Sequence, residues 1–158
     1  MPDSLVDNKK ISCAFTGHRE PDERFSPSLL FSAIEYLIGE GIVNFYCGMA
    51  MGYDLIAAEA VIKLRQNHPQ IKLIACVPCP GQDRYFPAEE KKKYNSILPL
   101  CDRVEILSER YYKGCMLVRD RFMVDNCDTV LAHIAKAGGG TGYTVRYAHS
   151  KNRRIFVV

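Results

Sequence analysis

Short apolar runs rich in strand-forming residues alternate along this chain with longer segments whose apolar residues recur every three or four positions. The run at 11–16, ISCAFT, is typical of a buried strand. The next segment opens with Ser26 and Pro27, which favour the cap and the first turn of a helix. The pattern predicts strands at 11–16, 42–47, 71–77, 103–107, 129–134 and 154–158. It predicts a helix that begins at Pro27 and is stopped by Gly39 and Gly41, and further helices at 54–66, 88–98, 114–126 and 141–150.

Alternation of strands and helices is typical of a parallel sheet with helices on both faces. We therefore predict an α/β fold, a Rossmann-like, doubly wound and mostly parallel sheet of about six strands. Residues 11–158 form a single domain in this interpretation, and residues 1–10 are a flexible tail. Because crossovers in such sheets are right-handed, the loops after the strands meet at one edge, where ligands bind.

Composition fits a soluble globular protein, because 47% of the 158 residues are hydrophobic and 25% are charged. The N-terminal stretch MPDSLVDNKK lacks the apolar segment of a signal peptide, and no run is long enough for a membrane helix. We therefore predict a cytoplasmic protein without a membrane partner. The formal net charge of +3 is too small to favour a nucleic-acid partner, and a homo-oligomer stays open.

The seven cysteines are odd in number and lack framework spacing, which is typical of free thiols in a reducing compartment. Cys76 and Cys79 have the spacing of a redox dithiol, but Pro80 and Gly81 favour a loop over the helix that would stabilise a thiolate. A zinc site would need a second pair of ligands, so we predict no metal site. Two ordinary small apolar residues at a strand end are the favoured interpretation.

Gly48 and Gly52 stand between the second predicted strand and its helix, in the run CGMAMGYDL. Such a junction leaves backbone N–H groups free at the positive end of a helix, so a phosphate can approach closely. The run matches neither the dinucleotide fingerprint nor the P-loop, and a tight turn with positive φ explains the glycines equally well. Asp54 is either a helix cap or, because phosphate would repel it, a contact for ribose hydroxyls.

Three consecutive glycines precede the last predicted helix, in the run AGGGT at 137–141. Capping alone does not explain three glycines, because each one costs chain entropy. An anion site is the favoured interpretation. Gly139 and Gly140 would leave N–H groups bare, and Thr141 would offer its hydroxyl as well as cap the helix.

The stretch TGHR at 16–19 follows the first strand and supplies Gly17, His18 and Arg19 as ligand-binding candidates. Arg19 either clamps a phosphate through its guanidinium or pairs with Glu20 or Glu23 at the surface. His18 is a contact residue only, because the sequence supplies no partner that would make it a catalytic base.

Arg119 shares one helical face with two methionines, at 116 and 123. A charge on a mostly apolar face needs a counter-ion or a ligand. Because its helix begins at the ligand edge, Arg119 either reaches the ligand or pairs with a local acid such as Asp120 or Glu109.

Four stretches, TGHR at 16–19, GMAMGYDLIAAEAV at 48–61, RDRFMVDNCDTVLA at 119–132 and GGGTGYTVRYA at 138–148, together resemble the SLOG superfamily. Within that superfamily the chain looks like the YpsA-like family of small bacterial proteins. The order and spacing of the stretches over nearly the whole chain carry this resemblance, rather than any single one.

The resemblance implies a Rossmann-like domain that binds a nucleotide-type ligand, such as ADP-ribose, NAD or a nucleoside monophosphate. Superfamily relatives include the Lonely Guy phosphoribohydrolases, which cleave nucleoside monophosphates, and DprA, which binds single-stranded DNA. The phosphoribohydrolase pattern, close to PGGxGTxxE, has its catalytic glutamate where this chain has Thr144. A nucleotide-binding or nucleotide-sensing protein without strong catalysis is therefore the main prediction. A nucleotide N-glycosidic-bond hydrolase and a DprA-like DNA-binding module are the alternatives.

Overall fold

The computed structural model describes residues 8–135 and 139–158. Within these residues, six strands alternate with helices. The strands are β1 (Ser12–Thr16), β2 (Asn44–Cys47), β3 (Lys72–Val77), β4 (Arg103–Ile106), β5 (Thr129–Ala132) and β6 (Arg154–Val157). The main helices are α1 (Pro27–Gly39), α2 (Tyr53–Arg65), α3 (Ala88–Ile97), α4 (Cys115–Asp125) and α5 (Gly139–Ser150).

The predicted tail is only partly described, since residues 1–7 lie outside the described ranges. Residues 8–10 are helical, and the Lys9 carbonyl accepts a hydrogen bond from the Asp128 amide at 2.9 Å. This bond attaches the start of the described chain to the residue that precedes β5.

The strands pair in parallel in the order β4-β3-β2-β1-β5-β6. This confirms the predicted Rossmann-like α/β fold. The chain runs from β1 outward to β4 on one side and then returns to β5, which pairs with β1 on the other side. The direction of winding therefore reverses at the carboxyl ends of β1 and β5, which is where such sheets leave a crevice for ligands.

Helices cover both faces of the sheet, and each face has its own apolar core. Side chains of α1, α2 and α3 pack on one face, and those of α4 and α5 pack on the other. The four apolar residues that face the core from α1, at 30, 34, 37 and 38, are each 7% exposed or less. Ser26 caps this helix as predicted, because its hydroxyl accepts the Leu29 amide at 3.2 Å.

Element ends differ from the sequence prediction by one to a few residues. Strand β2 begins at Asn44 rather than at 42, because the Ile42 amide still bonds to the Leu37 carbonyl after α1. Helix α5 begins at Gly139 rather than Thr141, so Thr141 lies in its first turn and not at its cap. In the described part of the chain, no helix has both the length and the apolar character to span a membrane.

Candidate functional site

A cavity of about 340 Å³ opens where the winding of the sheet reverses. Its lining comes from four stretches that are distant in sequence: the end of β1 with its following loop, the loop after β2 with the first turn of α2, the first turns of α4 and the start of α5. The lining residues are Phe15, Thr16, Gly17, His18, Arg19, Ala50, Asp54, Met116, Leu117, Arg119, Asp120, Gly140 and Thr141. The carboxyl edge of the sheet therefore holds a built concave site, as expected for this class of fold.

Most of the predicted ligand residues meet at this cavity. Those that line it are Gly17, His18, Arg19, Asp54, Arg119, Gly140 and Thr141, whereas Gly48, Gly52 and Gly139 lie next to lining residues. Ala137 and Gly138, from the predicted glycine run, lie outside the described residues. The predicted loop at 78–84 does not line the cavity, although Gln82 Nε2 donates to the Gly48 carbonyl at 2.8 Å.

Gly48 and Gly52 are in close contact with the protein itself. A Cβ atom on Gly48 would lie 2.8 Å from Arg119 Cζ and 2.9 Å from Asp54 Oδ2. Gly52 has φ of +79°, and a Cβ there would lie 2.1 Å from the Arg19 carbonyl oxygen. Side chains and backbone of the protein therefore occupy the space beside both glycines in which a phosphate was predicted. These glycines let the cavity walls approach each other, and direct ligand contact at either stays a prediction.

Gly17 has a similar packing role. A Cβ on Gly17 would lie 2.1 Å from Cγ of Tyr53, which is fully buried. The Tyr53 hydroxyl donates to the Leu131 carbonyl at 2.7 Å, so the ring links α2 to β5. The contact places the loop after β1 directly against the first residue of α2.

Arg119 is only 4% exposed, and its guanidinium has several partners. Its Nε donates to Asp120 Oδ1 at 2.7 Å, and its Nη1 donates to the carbonyls of Gly48 and Cys76. Nη2 lies 4.0 Å from the sulfur of Met116, one helical turn earlier. Arg119 therefore pairs with Asp120, which was one of the two predicted alternatives. It also lines the cavity, and its contact with a ligand stays a prediction.

Asp54 is a buried carboxylate, 7% exposed, in the first turn of α2. The cap position belongs to Gly52, and Asp54 Oδ2 instead accepts the Ala50 amide at 3.2 Å. Burial raises the pKa of Asp54 to about 7, opposed by Arg119 and by the Ala50 amide. A carboxyl group that titrates near neutrality therefore faces the cavity.

This titration predicts a pH-dependent difference between the wild type and the Asp54→Asn variant. Because the Asp54 pKa rises on folding from 3.8 to about 7, the folded state binds more protons in that window, and wild-type stability falls as pH increases through it. We expect Asp54→Asn to gain stability relative to the wild type by about 1 kcal/mol for each pH unit there. Urea unfolding at roughly pH 5, 6 and 7 measures this, and a constant difference would contradict it.

Helix α5 begins beside the cavity with its glycines. Gly139 has φ of +69°, and none of the described residues lies within 4 Å of a Cβ built on Gly140. Thr141 is 5% exposed and lines the cavity. The amide groups of the first helical turn have no partner within their own helix, so α5 presents donors and a positive dipole end here.

The loop after β1 is tied to the neighbouring segments through His18. Its Nε2 accepts the Ala135 amide at 2.9 Å, which places the proton of the neutral ring on Nδ1, and its carbonyl accepts the Tyr53 amide at 3.1 Å. Arg19 is exposed at the cavity, and among the described residues it makes no ion pair with Glu20, Glu23 or another carboxylate.

Sequence reasoning missed Met116 and Leu117 as lining residues and treated Asp120 only as a partner of Arg119. The signal for all three was their place in the first turns of a helix that starts at the ligand edge. The predicted free thiols are present, since all seven cysteines are unpaired. Burial raises the pKa of Cys76 to about 12, so this residue is a neutral thiol inside β3.

A second, wider depression of about 690 Å³ lies at the opposite, amino edge of the sheet. Its arginines are already paired: Arg154 lies 3.3 Å from Glu40, and Arg153 lies 3.5 Å from Asp128. None of the predicted ligand residues lines it. Charge pairing and position both make the carboxyl-edge cavity the better candidate site.

Comparison with known proteins places the chain in a family. The family model YpsA, described as the YspA SLOG family, matches residues 16–154. UPF0398 protein BH1768 of Halalkalibacterium halodurans is 36% identical over 97 residues, which are 60% of this chain and 51% of that protein. The SPbeta prophage-derived protein YoqJ of Bacillus subtilis, which is uncharacterized, is 28% identical over 132 residues, 75% of this chain and 77% of that protein. The chain thus spans about half the length of the BH1768 protein.

Two solved structures share the fold. DNA processing protein A from Helicobacter pylori, described for its single-stranded DNA binding mode, matches with a TM-score of 0.69 and 24% identity over 98% of this chain and 67% of that one. DprA from Streptococcus pneumoniae matches with a TM-score of 0.68 and 23% identity over 98% and 51%. The family match includes nearly all of the residues around the cavity, and it confirms the resemblance seen in the sequence. The chain therefore belongs to the YpsA family of SLOG proteins.

Proposed function

We propose that the carboxyl-edge cavity binds a nucleotide-type ligand, such as ADP-ribose, NAD or a nucleoside monophosphate. The observation that carries the proposal is the convergence of an exposed arginine, two carboxylates and a glycine-bounded helix start on one cavity of a Rossmann-like sheet. Its volume of about 340 Å³ fits a small-molecule site.

Each part of a nucleotide has a chemical counterpart at the cavity. The guanidinium of Arg19 and the first-turn amides of α5 at Gly140 and Thr141 suit phosphate oxygens. The carboxylates of Asp54 and Asp120 suit the hydroxyls of a ribose. Arg119, which Asp120 already engages, contributes its positive charge and holds the α4 side of the cavity in place.

The Arg19→Gln variant tests the phosphate end of this arrangement. We expect it to weaken binding of ADP-ribose, NAD or a nucleoside monophosphate by about tenfold or more, because it removes a charge-assisted hydrogen bond. Isothermal titration calorimetry measures the affinity. The control is Arg146→Gln, which removes the same charge from an exposed position on α5 outside the cavity lining. Equal affinity in both variants, or no heat with any ligand for the wild type, would contradict the proposal.

Hydrolysis of an N-glycosidic bond is the second candidate. It is favoured by Asp54, a cavity carboxyl whose pKa of about 7 suits acid–base chemistry. It is disfavoured by Thr144, whose hydroxyl donates to the Gly140 carbonyl at 2.8 Å where the phosphoribohydrolase pattern has a glutamate. Analysis of the titrated mixtures for free base separates the two functions, and release that disappears in Asp54→Ala would establish hydrolysis.

Single-stranded DNA is the third candidate, favoured by the structural likeness to DNA processing protein A from Helicobacter pylori. At 24% identity, that likeness shows a shared fold only. The net charge of +3 is small for a protein that binds nucleic acid. A gel-shift titration with single-stranded DNA at physiological salt tests this candidate. Retardation that is competed by ADP-ribose would place the DNA at the same cavity.

A further inference from the structure

We propose that Asp54 takes up one proton when a phosphate-bearing ligand enters the cavity, so that ligand binding is coupled to protonation of this side chain. The inference rests on the proposed function and adds to it the protonation state in which the site holds an anion. It follows from the charges around Asp54, from its confinement and from the partners of the neighbouring arginine.

The charges around the cavity nearly cancel before a ligand arrives. Asp54 and Asp120 are the lining carboxylates, and Arg19 and Arg119 are the lining guanidinium groups. The titratable groups that act on Asp54 include Arg19 from the loop after β1, Arg119 and Asp120 from α4, Cys47 at the end of β2, Cys76 in β3 and Tyr53 of its own helix. His18 lines the same cavity, and its Nε2 accepts the Ala135 amide. A phosphate dianion would therefore leave the cavity with an excess of negative charge.

Asp54 cannot easily relieve that excess by turning toward water. Its Oδ2 accepts the Ala50 amide at 3.2 Å, and the same oxygen packs so closely against Gly48 that an added Cβ would lie 2.9 Å away. Asp54 as a whole residue is 7% exposed. An anionic carboxylate held in this position beside a second anion is destabilised by both burial and repulsion.

The neighbouring guanidinium stabilises the Asp54 carboxylate only in part, because its hydrogen bonds go to other groups. Arg119 already donates from Nε to Asp120 at 2.7 Å and from Nη1 to the Gly48 carbonyl. Among the described residues, Asp54 forms no ion pair with Arg119 within 4.0 Å. A move of the Arg119 guanidinium toward Asp54 would disturb these two hydrogen bonds, whereas protonation of Asp54 leaves both in place.

The chemical step is a simple protonation. A proton from the solvent binds a carboxylate oxygen of Asp54, and the neutral acid then has an O–H that can donate to a phosphate or ribose oxygen of the ligand. No bond of the ligand is formed or broken. Above the pH at which Asp54 loses its proton in the free protein, each bound ligand should therefore remove about one proton from the buffer.

Calorimetric titration with adenosine monophosphate and with ADP-ribose at about pH 8, in buffers of different ionisation enthalpy, measures this uptake. We expect about one proton per ligand for the wild type and close to none for Asp54→Asn, whose amide keeps the shape without the charge. Wild-type affinity should also fall about tenfold between roughly pH 8 and 9, while that of the variant stays nearly constant. Glu35→Gln, an exposed change on α1, is the control and should behave as the wild type.

The outcomes separate this inference from the proposed function. Measurable heat with equal proton uptake in the wild type and Asp54→Asn, or with no uptake in the wild type, overturns the inference and leaves nucleotide binding standing. The absence of heat with both ligands overturns the proposed function, and the inference falls with it. Should Asp54→Asn fail to fold, the affinity of the wild type between roughly pH 8 and 9 decides alone, and a flat profile overturns the inference.

Discussion

Replacing Gly52 with alanine is expected to destabilise the protein by about 3 kcal/mol or more. The residue has φ of +79°, a conformation that L side chains rarely adopt, and its added Cβ would lie 2.1 Å from the Arg19 carbonyl oxygen. The clash is with backbone, so no rotamer change relieves it, and the loops after β1 and β2 must separate. Urea unfolding followed by circular dichroism measures the loss.

Gly39→Ala is the matched control for this variant. Gly39 is the last residue of α1, and a Cβ built there meets no atom of the described residues within 4 Å. Alanine is the better helix former, so the expected change is a gain of about 0.5 kcal/mol. Similar unfolding midpoints for Gly52→Ala and Gly39→Ala would show that the contact between the two loops tolerates a side chain.

Arg119→Met is expected to cost about 3–5 kcal/mol of stability and to abolish ligand binding at the concentrations that saturate the wild type. Methionine fills much of the same space without the charge. It leaves Asp120 without its ion-pair partner and the Gly48 carbonyl without one donor, while Asp54 loses the nearest positive charge. Urea unfolding gives the first effect, and calorimetric titration of the folded variant with ADP-ribose gives the second.

Arg121→Met removes the same charge two positions along α4 and serves as the control. Arg121 is exposed, and its guanidinium donates only to the Tyr143 hydroxyl, at 3.3 Å, among the described residues. We expect a change of at most about 0.5 kcal/mol and unaltered binding. If both variants unfold at the same urea concentration, the buried contacts of Arg119 contribute little, and its place in the cavity has another cause.

The fold could be predicted from the sequence because local signals agree with one another. The structure contains the helix α1 that the apolar spacing and the cap at Ser26 indicate. It also contains the strand β1 that the short apolar run indicates. The regular alternation of strands and helices then leaves a parallel, doubly wound sheet as the consistent arrangement. Since such sheets bind ligands at one edge, the loops around the candidate cavity could also be predicted.

The role of individual residues at the cavity could not be predicted in the same way. A glycine in a sequence does not show which atom would meet its missing side chain, and the neighbours of Gly48 and Gly17 come from α4 and α2. The pairing of Arg119 was one of two open alternatives, because both depend on how α4 is oriented over the sheet. The pKa of Asp54 depends on burial, which only the assembled walls create.

The cavity unites both halves of the sheet, and this has a consequence for how the protein responds to whatever it binds. Two of its walls are formed by the loops that follow β1 and β2. The other two are formed by α4 and α5, the helices that precede and follow β5. An occupant would add a further contact between the two halves, which also join through the ladder of β1 and β5 and through the packing of α4 and α5 on β1, β2 and β3. Melting experiments with candidate metabolites should therefore report on the whole molecule, since an occupant at a hundredfold excess over its Kd adds about 2.7 kcal/mol to the resistance against unfolding.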